Sequence, residues 1–123
     1  MIAVIFEVEP AEGALEGYMA LATSLKPELE KIDGFISVER FESLTTPGKL
    51  VSLSFWRDEE ALAAWRNRPR HRSAQATGRA GMMAGYRLRV ASVIRDYGMA
   101  EREEAPADSL AHHDAALEVG ASR

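Results

Sequence analysis

Two tryptophans and a histidine lie close together in the sequence, and these residue types suit chemistry on a small aromatic molecule. Trp56 ends a strand-like run, Trp65 lies in the helical pattern behind it, and His71 follows six residues later. An indole ring can form one wall of a pocket for a planar ligand. A histidine has an unperturbed pKa of about 6.5, so it can transfer a proton at neutral pH. We therefore take Trp65 and His71 as the candidate catalytic residues.

Four arginines surround this histidine at alternate positions, namely Arg66, Arg68, Arg70 and Arg72. Such a cluster can bind an anionic substrate group, although charged runs more often form a solvated helix face. We take Arg72 as the candidate from this cluster. In the same way, His71 between two arginines can be an ordinary solvated helix residue.

Further substrate-binding candidates are Trp56, Arg79 and Tyr86. Arg79 and Tyr86 flank a predicted helix-to-strand turn, from which both side chains could reach the mouth of a pocket. Structural hydrogen bonding is the alternative role for these two residues. Core packing is the alternative for Trp65, and packing in an interface is the alternative for Trp56.

Composition excludes several kinds of site. The 123 residues contain no cysteine, which excludes disulfides, thiolate metal ligands and a cysteine nucleophile. His112 and His113 are adjacent but have no further ligands near them, so we predict no metal site. The net charge of −4 argues against nucleic acid as a partner. The first residues carry no basic leader and no apolar run is long enough for a membrane helix, so we expect a cytoplasmic protein.

The elements that would position these residues follow from hydrophobic periodicity. Residues 2–9 alternate as a strand, and apolar residues recur every three or four positions over roughly 11–32, which predicts one helix with a kink at Pro27. Gly34 is a natural left-handed cap behind that helix. Strands at 35–41 and 49–56, joined by a turn at Pro47-Gly48, predict a hairpin.

A second helix is predicted to begin at Asp58, which can cap it, and Leu62 and Trp65 fall on its inward face. This helix should break near residues 67–69 and resume through Arg79 to about Met83. A long final strand should run from Tyr86 to about Tyr97.

The order strand, helix, strand, strand, helix, strand predicts an α+β fold. Two split βαβ units make a ferredoxin-like sandwich, in which a four-stranded antiparallel sheet has both helices on one face. The other face would then be bare and carry residues such as Phe35 or Trp56, and the fourth strand would be overlong. Both features predict a homodimer. We place this domain at residues 1–98 and a polar C-terminal tail at residues 99–123.

An ordered set of segments resembles the antibiotic biosynthesis monooxygenase domain family over about residues 1–98. The set comprises Asp33-Gly34-Phe35, Leu53-Ser54-Phe55-Trp56, Trp65, His71-Arg72-Ser73-Ala74-Gln75, Gly78-Arg79, and Tyr86-Arg87-Leu88-Arg89-Val90 through Arg95-Asp96-Tyr97-Gly98. The resemblance implies a dimeric α+β barrel with a pocket in each protomer, between the helices and the sheet.

The resemblance also implies a choice between functions. Some relatives oxygenate phenolic polyketides to quinones without flavin or metal, and there a tyrosine stands at the position of His71. Haem-degrading relatives have their axial histidine at the position of Gln75, so we predict no haem binding through that position. The implied function is a cofactor-independent monooxygenase that oxidises a small phenolic or quinol-type substrate with O2. The alternatives are a non-catalytic dimeric sensor or carrier of a small aromatic molecule and, with less support, a haem-binding or haem-degrading relative.

Overall fold

Four segments form the strands of the structure, a computed structural model that describes residues 1–68, 76 and 81–111. They are β1 (Ile2–Pro10), β2 (Phe35–Glu42), β3 (Leu50–Trp56) and β4 (Met83–Ser92). Their spatial order is β2-β3-β1-β4, and each neighbouring pair is antiparallel. Helices α1 (Leu15–Ser24) and α2 (Lys26–Glu30) join β1 to β2, and α3 (Glu59–Arg66) follows β3. The predicted ferredoxin-like α+β sandwich is confirmed.

The two sides of the sheet differ in what they contact. Val4 of β1 and Trp56 of β3 pack with Leu29 of α2 and with Ala61 and Trp65 of α3 in one core cluster. Because side chains alternate along a strand, the pairing register assigns each remaining strand residue to one of the two sides. The helix-facing side carries Ile2, Val4, Phe6, Val38, Arg40, Ser52, Ser54, Trp56, Leu88 and Val90. The outer side carries Ile5, Glu7, Glu39, Phe41, Val51, Leu53, Phe55, Arg87 and Arg89.

The predicted helix over 11–32 is wrong in its continuity and in its start. Pro27 has no amide N–H to donate to Thr23, and the chain breaks into two helices at Leu25, whose own amide donates to the Ala22 carbonyl at 3.3 Å. The first helix starts only at Leu15, because the Ala11 amide is still tied to the Met82 carbonyl at 2.8 Å and Gly13 adopts a left-handed turn.

The predicted cap of α3 is confirmed. A carboxylate oxygen of Asp58 accepts a hydrogen bond from the Ala61 amide at 2.9 Å. Gly34 has a φ of 93°, and a Cβ at this position would lie 2.7 Å from the Cβ of Ala61. The glycine therefore permits both the turn into β2 and the close approach of α3.

Two predictions about the sheet are wrong. Phe35 and Trp56 lie on the helix-facing side rather than on a bare face; Trp56 is only 1% exposed. The fourth strand ends at Ser92 instead of near Tyr97, because its pairing partner β1 begins at Ile2, opposite Ser92. The strand is therefore matched in length to β1, and strand length gives no support to a dimer.

The chain divides into two compact units, Met1–Ser92 and Val93–Arg123. Within the described part of the second unit, the Arg102 guanidinium lies 5.2 Å from the centre of the Tyr97 ring and donates to the Gly98 carbonyl at 3.1 Å. The domain limits predicted from sequence, 1–98 and 99–123, stay a prediction. In the part of the chain that the structure describes, no helix has the length and apolarity needed to cross a bilayer.

Candidate active site

A cavity of about 250 Å³ lies between the helix-facing side of the sheet and the helices of the first unit. Most of its wall is apolar: Val4 and Phe6 come from β1, Val38 from β2, and Leu29 from α2. An apolar cavity of about 150 Å³ is large enough to bind benzene. The volume therefore suits a small ligand with one or two rings.

Two tryptophans form part of this wall. Trp56 is held at the end of β3 by the Phe35 ring, whose centre is 5.3 Å away in an edge-to-face arrangement. The indole N–H of Trp56 donates to the Ser54 hydroxyl at 2.9 Å, so its polar atom is already satisfied within the protein. Trp65 reaches the cavity from α3, where spacing to Leu62 turns it inward as predicted. Both rings present their apolar surface to the cavity.

The charge of the cavity wall is positive. Arg40 of β2 and Arg66 of α3 line the cavity, and among the described residues no carboxylate does. Arg66 is exposed, whereas Arg40 is half-buried. Arg40 Nη2 donates to the Ala22 carbonyl at 3.4 Å, and its Nε is buried and has no hydrogen-bond partner within the described part of the chain. A guanidinium with so few partners is unusual in an apolar environment.

The Tyr18 side chain from α1 shares the cavity with Arg40. Burial raises the pKa of Tyr18, and the positive charge of Arg40 only partly opposes this effect. The phenol therefore stays protonated at neutral pH and can act as a hydrogen-bond donor. Tyr18 and Arg40 together supply donors to a cavity that is otherwise mostly apolar.

Comparison with known proteins places this fold in a family. The sequence profile described as antibiotic biosynthesis monooxygenase matches residues 1–77. The chain belongs to this family. The family resemblance inferred from the sequence is thus confirmed.

Two curated relatives are similar to this member of the family. The chain is 42% identical, over its full length, to a protein of Pyricularia oryzae named jasmonate monooxygenase ABM, and it spans 57% of that protein's length. It is 30% identical over 93 residues to the uncharacterized protein YqjZ of Bacillus subtilis, covering 76% of this chain and 79% of that one.

Solved structures resemble this family member in fold. The Rv0793 protein from Mycobacterium tuberculosis matches with a TM-score of 0.71 at 23% identity, covering 79% of this chain and 98% of the other. A Deinococcus radiodurans protein assigned to the antibiotic biosynthesis monooxygenases matches with a TM-score of 0.72 at 12% identity, covering 80% and 98%. At these identities the likeness establishes the fold alone.

The predicted site residues of this monooxygenase-family chain fall into three groups, two of which the structure describes. Trp56 and Trp65 line the cavity. Tyr86 of β4 is 56% exposed and does not line the cavity. Its ring contacts that of Phe6, a lining residue, with 5.6 Å between the ring centres. The third group, His71, Arg72, Arg79 and the haem-ligand position Gln75, lies outside the described residues. The roles of all these residues stay predictions.

Of the predicted arginine cluster, the structure describes two members, and they have different neighbours. Arg66 lines the cavity, whereas Arg68 Nη1 lies 3.9 Å from a carboxylate oxygen of Glu28. Arg70 and His112-His113 lie outside the described residues. No group of three histidine or acidic side chains suited to a metal occurs among the residues that the structure describes.

Arg40 and Tyr18 were missed from the sequence. A signal existed for Arg40, since Val38 and Arg40 are two apart in a strand and must share a face. The β-bulge between Phe35 and Ser37 hid it, because simple alternation from Phe35 puts Arg40 on the opposite side. Tyr18 appeared only as one apolar position of a helix. Nothing local distinguished it from a core residue.

Proposed function

We propose that this protein is a cofactor-independent monooxygenase that oxidises a small phenolic or quinol-type compound with O2. The observation that carries the proposal is the apolar cavity walled by Trp56 and Trp65 and lined with positive charge, in a chain of the antibiotic biosynthesis monooxygenase family. An electron-rich phenolate can react with O2 directly, so the protein has to position the ring, stabilise the anion and limit water.

The reaction balances without an added reductant. Loss of the phenolic proton gives a phenolate whose ring carbon opposite the oxygen bonds to O2, and protonation gives a hydroperoxide. The O–O bond then breaks as the ring C–H proton leaves, so one oxygen atom stays as the new carbonyl of a quinone. The other leaves as water with two hydrogens from the substrate. The substrate is oxidised by four electrons, two for the oxygen atom gained and two for the hydrogens lost, and O2 takes up all four.

His71 is the proposed proton acceptor, and Trp65 the proposed support for the ring. A histidine titrates near neutral pH, which suits proton transfer, and general acid–base catalysis typically contributes about 10²–10⁴-fold. We expect His71→Ala mainly to lower kcat and Trp65→Phe mainly to raise KM.

The experiment is O2 uptake by the purified protein with a panel of phenols and hydroquinones, without added flavin or metal. Jasmonate belongs in the panel because of the name of the Pyricularia oryzae relative. We expect one O2 consumed per phenol, with one atom of ¹⁸O2 in the quinone. Catalase distinguishes this from simple quinol oxidation, since only the latter releases peroxide and returns O2.

The contrary outcome is equally specific. If no compound consumes O2, while one of them raises the melting temperature of the protein, then a non-catalytic binding protein explains the cavity better than an enzyme does.

A further inference from the structure

Arg40 stands out in the cavity because its charge is not balanced there. Its Nε is buried and has no hydrogen-bond partner among the described residues, and its one described bond, to the Ala22 carbonyl, is long at 3.4 Å. Burying a charge and leaving a donor unpaired both cost free energy. Since folding gains little from this guanidinium, a ligand is the natural partner for it.

We infer that Arg40, together with the Tyr18 hydroxyl, binds a negatively charged oxygen of the ligand in this cavity. A guanidinium presents planar donors that match an oxyanion, and such charge-assisted bonds are about twice as strong as neutral ones. Tyr18 adds a neutral donor, because its raised pKa keeps the hydroxyl protonated. The inference deepens the proposed function, on which it rests for the identity of the ligand as a small ring compound.

The surroundings of Arg40 favour an anion over a neutral ligand. No described carboxylate lines the cavity, and the other charged lining residue, Arg66, is also positive. The nearby tryptophan Trp56 gives its N–H to Ser54 and has none left for the ligand. The Ser52 and Ser54 hydroxyls also line the cavity but carry no charge. Arg40 is the more buried of the two arginines in the lining, so with Tyr18 it is the described group that we assign to the charged end of a ligand whose remainder is apolar.

Two kinds of ligand share this chemistry: a phenol bound as its phenolate, and a carboxylate on a small ring. The phenolate arm uses 4-nitrophenol, whose anion absorbs at a longer wavelength than its neutral form. Arg40 should make the bound phenol ionise at a lower pH than the free one, visible as phenolate absorbance in slightly acidic buffer. The carboxylate arm compares benzoate with benzamide, which has nearly the same shape and no charge.

The variants are Arg40→Leu and Arg40→Gln, with Arg89→Gln as the matched control. Arg89 is exposed on the outer side of the sheet and does not line the cavity. We expect either Arg40 variant to weaken binding of the anion about 10–100-fold and to abolish the pH shift of bound 4-nitrophenol. Neutral benzamide should bind the wild type and the Arg40 variants equally well. The Arg89→Gln control should change anion binding less than about threefold.

Binding and turnover are read separately, so the two hypotheses fail separately. If Arg40-dependent binding of an anion is found but no phenol consumes O2, the monooxygenase proposal fails and the anion site stands. The inference is overturned if the wild-type protein shows no preference for the anions, including the case in which it binds neither. It is also overturned if folded Arg40→Leu, checked by circular dichroism, binds the anions as well as the wild type does.

Discussion

The two sides of one sheet treat their charges differently. On the outer side, Glu7 accepts a hydrogen bond from Arg89 at 2.8 Å and lies 3.2 Å from Lys49, so its charge is paired twice. On the helix-facing side, Arg40 points into an apolar cavity with one long bond to a carbonyl. Pairing on the outer side serves the fold, whereas the Arg40 Nε has no partner among the described residues and is the donor that our inference assigns to a ligand.

Apolar residues also differ between the two sides, most clearly at β3. The helix-facing Trp56 is almost fully buried within one chain, whereas Ile5, Val51, Leu53 and Phe55 on the outer side are each half-buried. The chain's own helices cover the helix-facing side at Trp56, but Leu88 and Val90 of β4 on that same side are 51% and 45% exposed. The outer side retains apolar surface that a second molecule can cover.

The largest expected effect is a loss of stability when Trp56, on the helix-facing side, is replaced by a small residue. Trp56→Ala should lower the free energy of unfolding by about 3–5 kcal/mol, since it opens a cavity in the core cluster and leaves the Ser54 hydroxyl without its donor. Urea denaturation followed by circular dichroism measures it. Leu44→Ala is the control, because Leu44 is fully exposed in the β2–β3 loop and should lose less than about 0.5 kcal/mol. A similar loss of unfolding free energy in Trp56→Ala and Leu44→Ala would contradict the expected contrast between a buried and an exposed position.

The second prediction concerns assembly through the outer side. We predict a homodimer that buries this side, and Leu53→Asp should convert it to a monomer because a carboxylate would enter the interface. Sedimentation velocity at micromolar concentration measures the mass, and Leu44→Asp is the matched control that should remain dimeric. A monomeric wild type would show that the half-buried outer residues need no partner.

The third prediction sharpens the comparison of charges. Arg40→Leu should raise the free energy of unfolding by about 1–2 kcal/mol, because an apolar side chain removes the buried Nε, which has no partner among the residues that the structure describes. Arg89→Leu, on the outer side, should lower the free energy of unfolding, since it removes a partner of Glu7. Both are measured by urea denaturation without ligand. A destabilised Arg40→Leu variant would mean that the guanidinium is part of the fold.

Local features of this fold were predictable from the sequence, and features that depend on distant contacts were not. The Asp58 cap and the inward face shared by Leu62 and Trp65 depend on neighbouring residues within one helix, and both are confirmed. Alternation correctly groups Val51, Leu53 and Phe55 on one side of β3. It cannot tell which side the helices cover, and so Trp56 was assigned to the wrong face.

The site was predicted in part for the same reason. Its tryptophans are marked by their residue type and by their positions at the end of β3 and on the inward face of α3. Arg40 reaches the cavity only because a bulge changes the phase of β2, so that Phe35 and Val38, three residues apart, both face the helices. A bulge is set by pairing with β3 and leaves no pattern in β2 alone.

The smallest expected effect is the pH dependence that Glu7 contributes. Hydrogen bonds from Arg89 and then Lys49 lower the pKa of Glu7 below its ordinary value of 4.5. A carboxylate with a lowered pKa stabilises the folded state at pH values above that ordinary value, and this contribution is lost as the pH falls through the folded-state pKa. The melting temperatures of the wild type and Glu7→Gln should therefore differ most at neutral pH and converge below pH 4.5. Glu9→Gln, an exposed change two residues along the same strand, is the control. Added salt should narrow the Glu7 difference because Glu7 is only half-buried and Arg89 is exposed. A difference that persists unchanged into acid would show that Glu7 acts through packing and that the outer charges are not paired in solution.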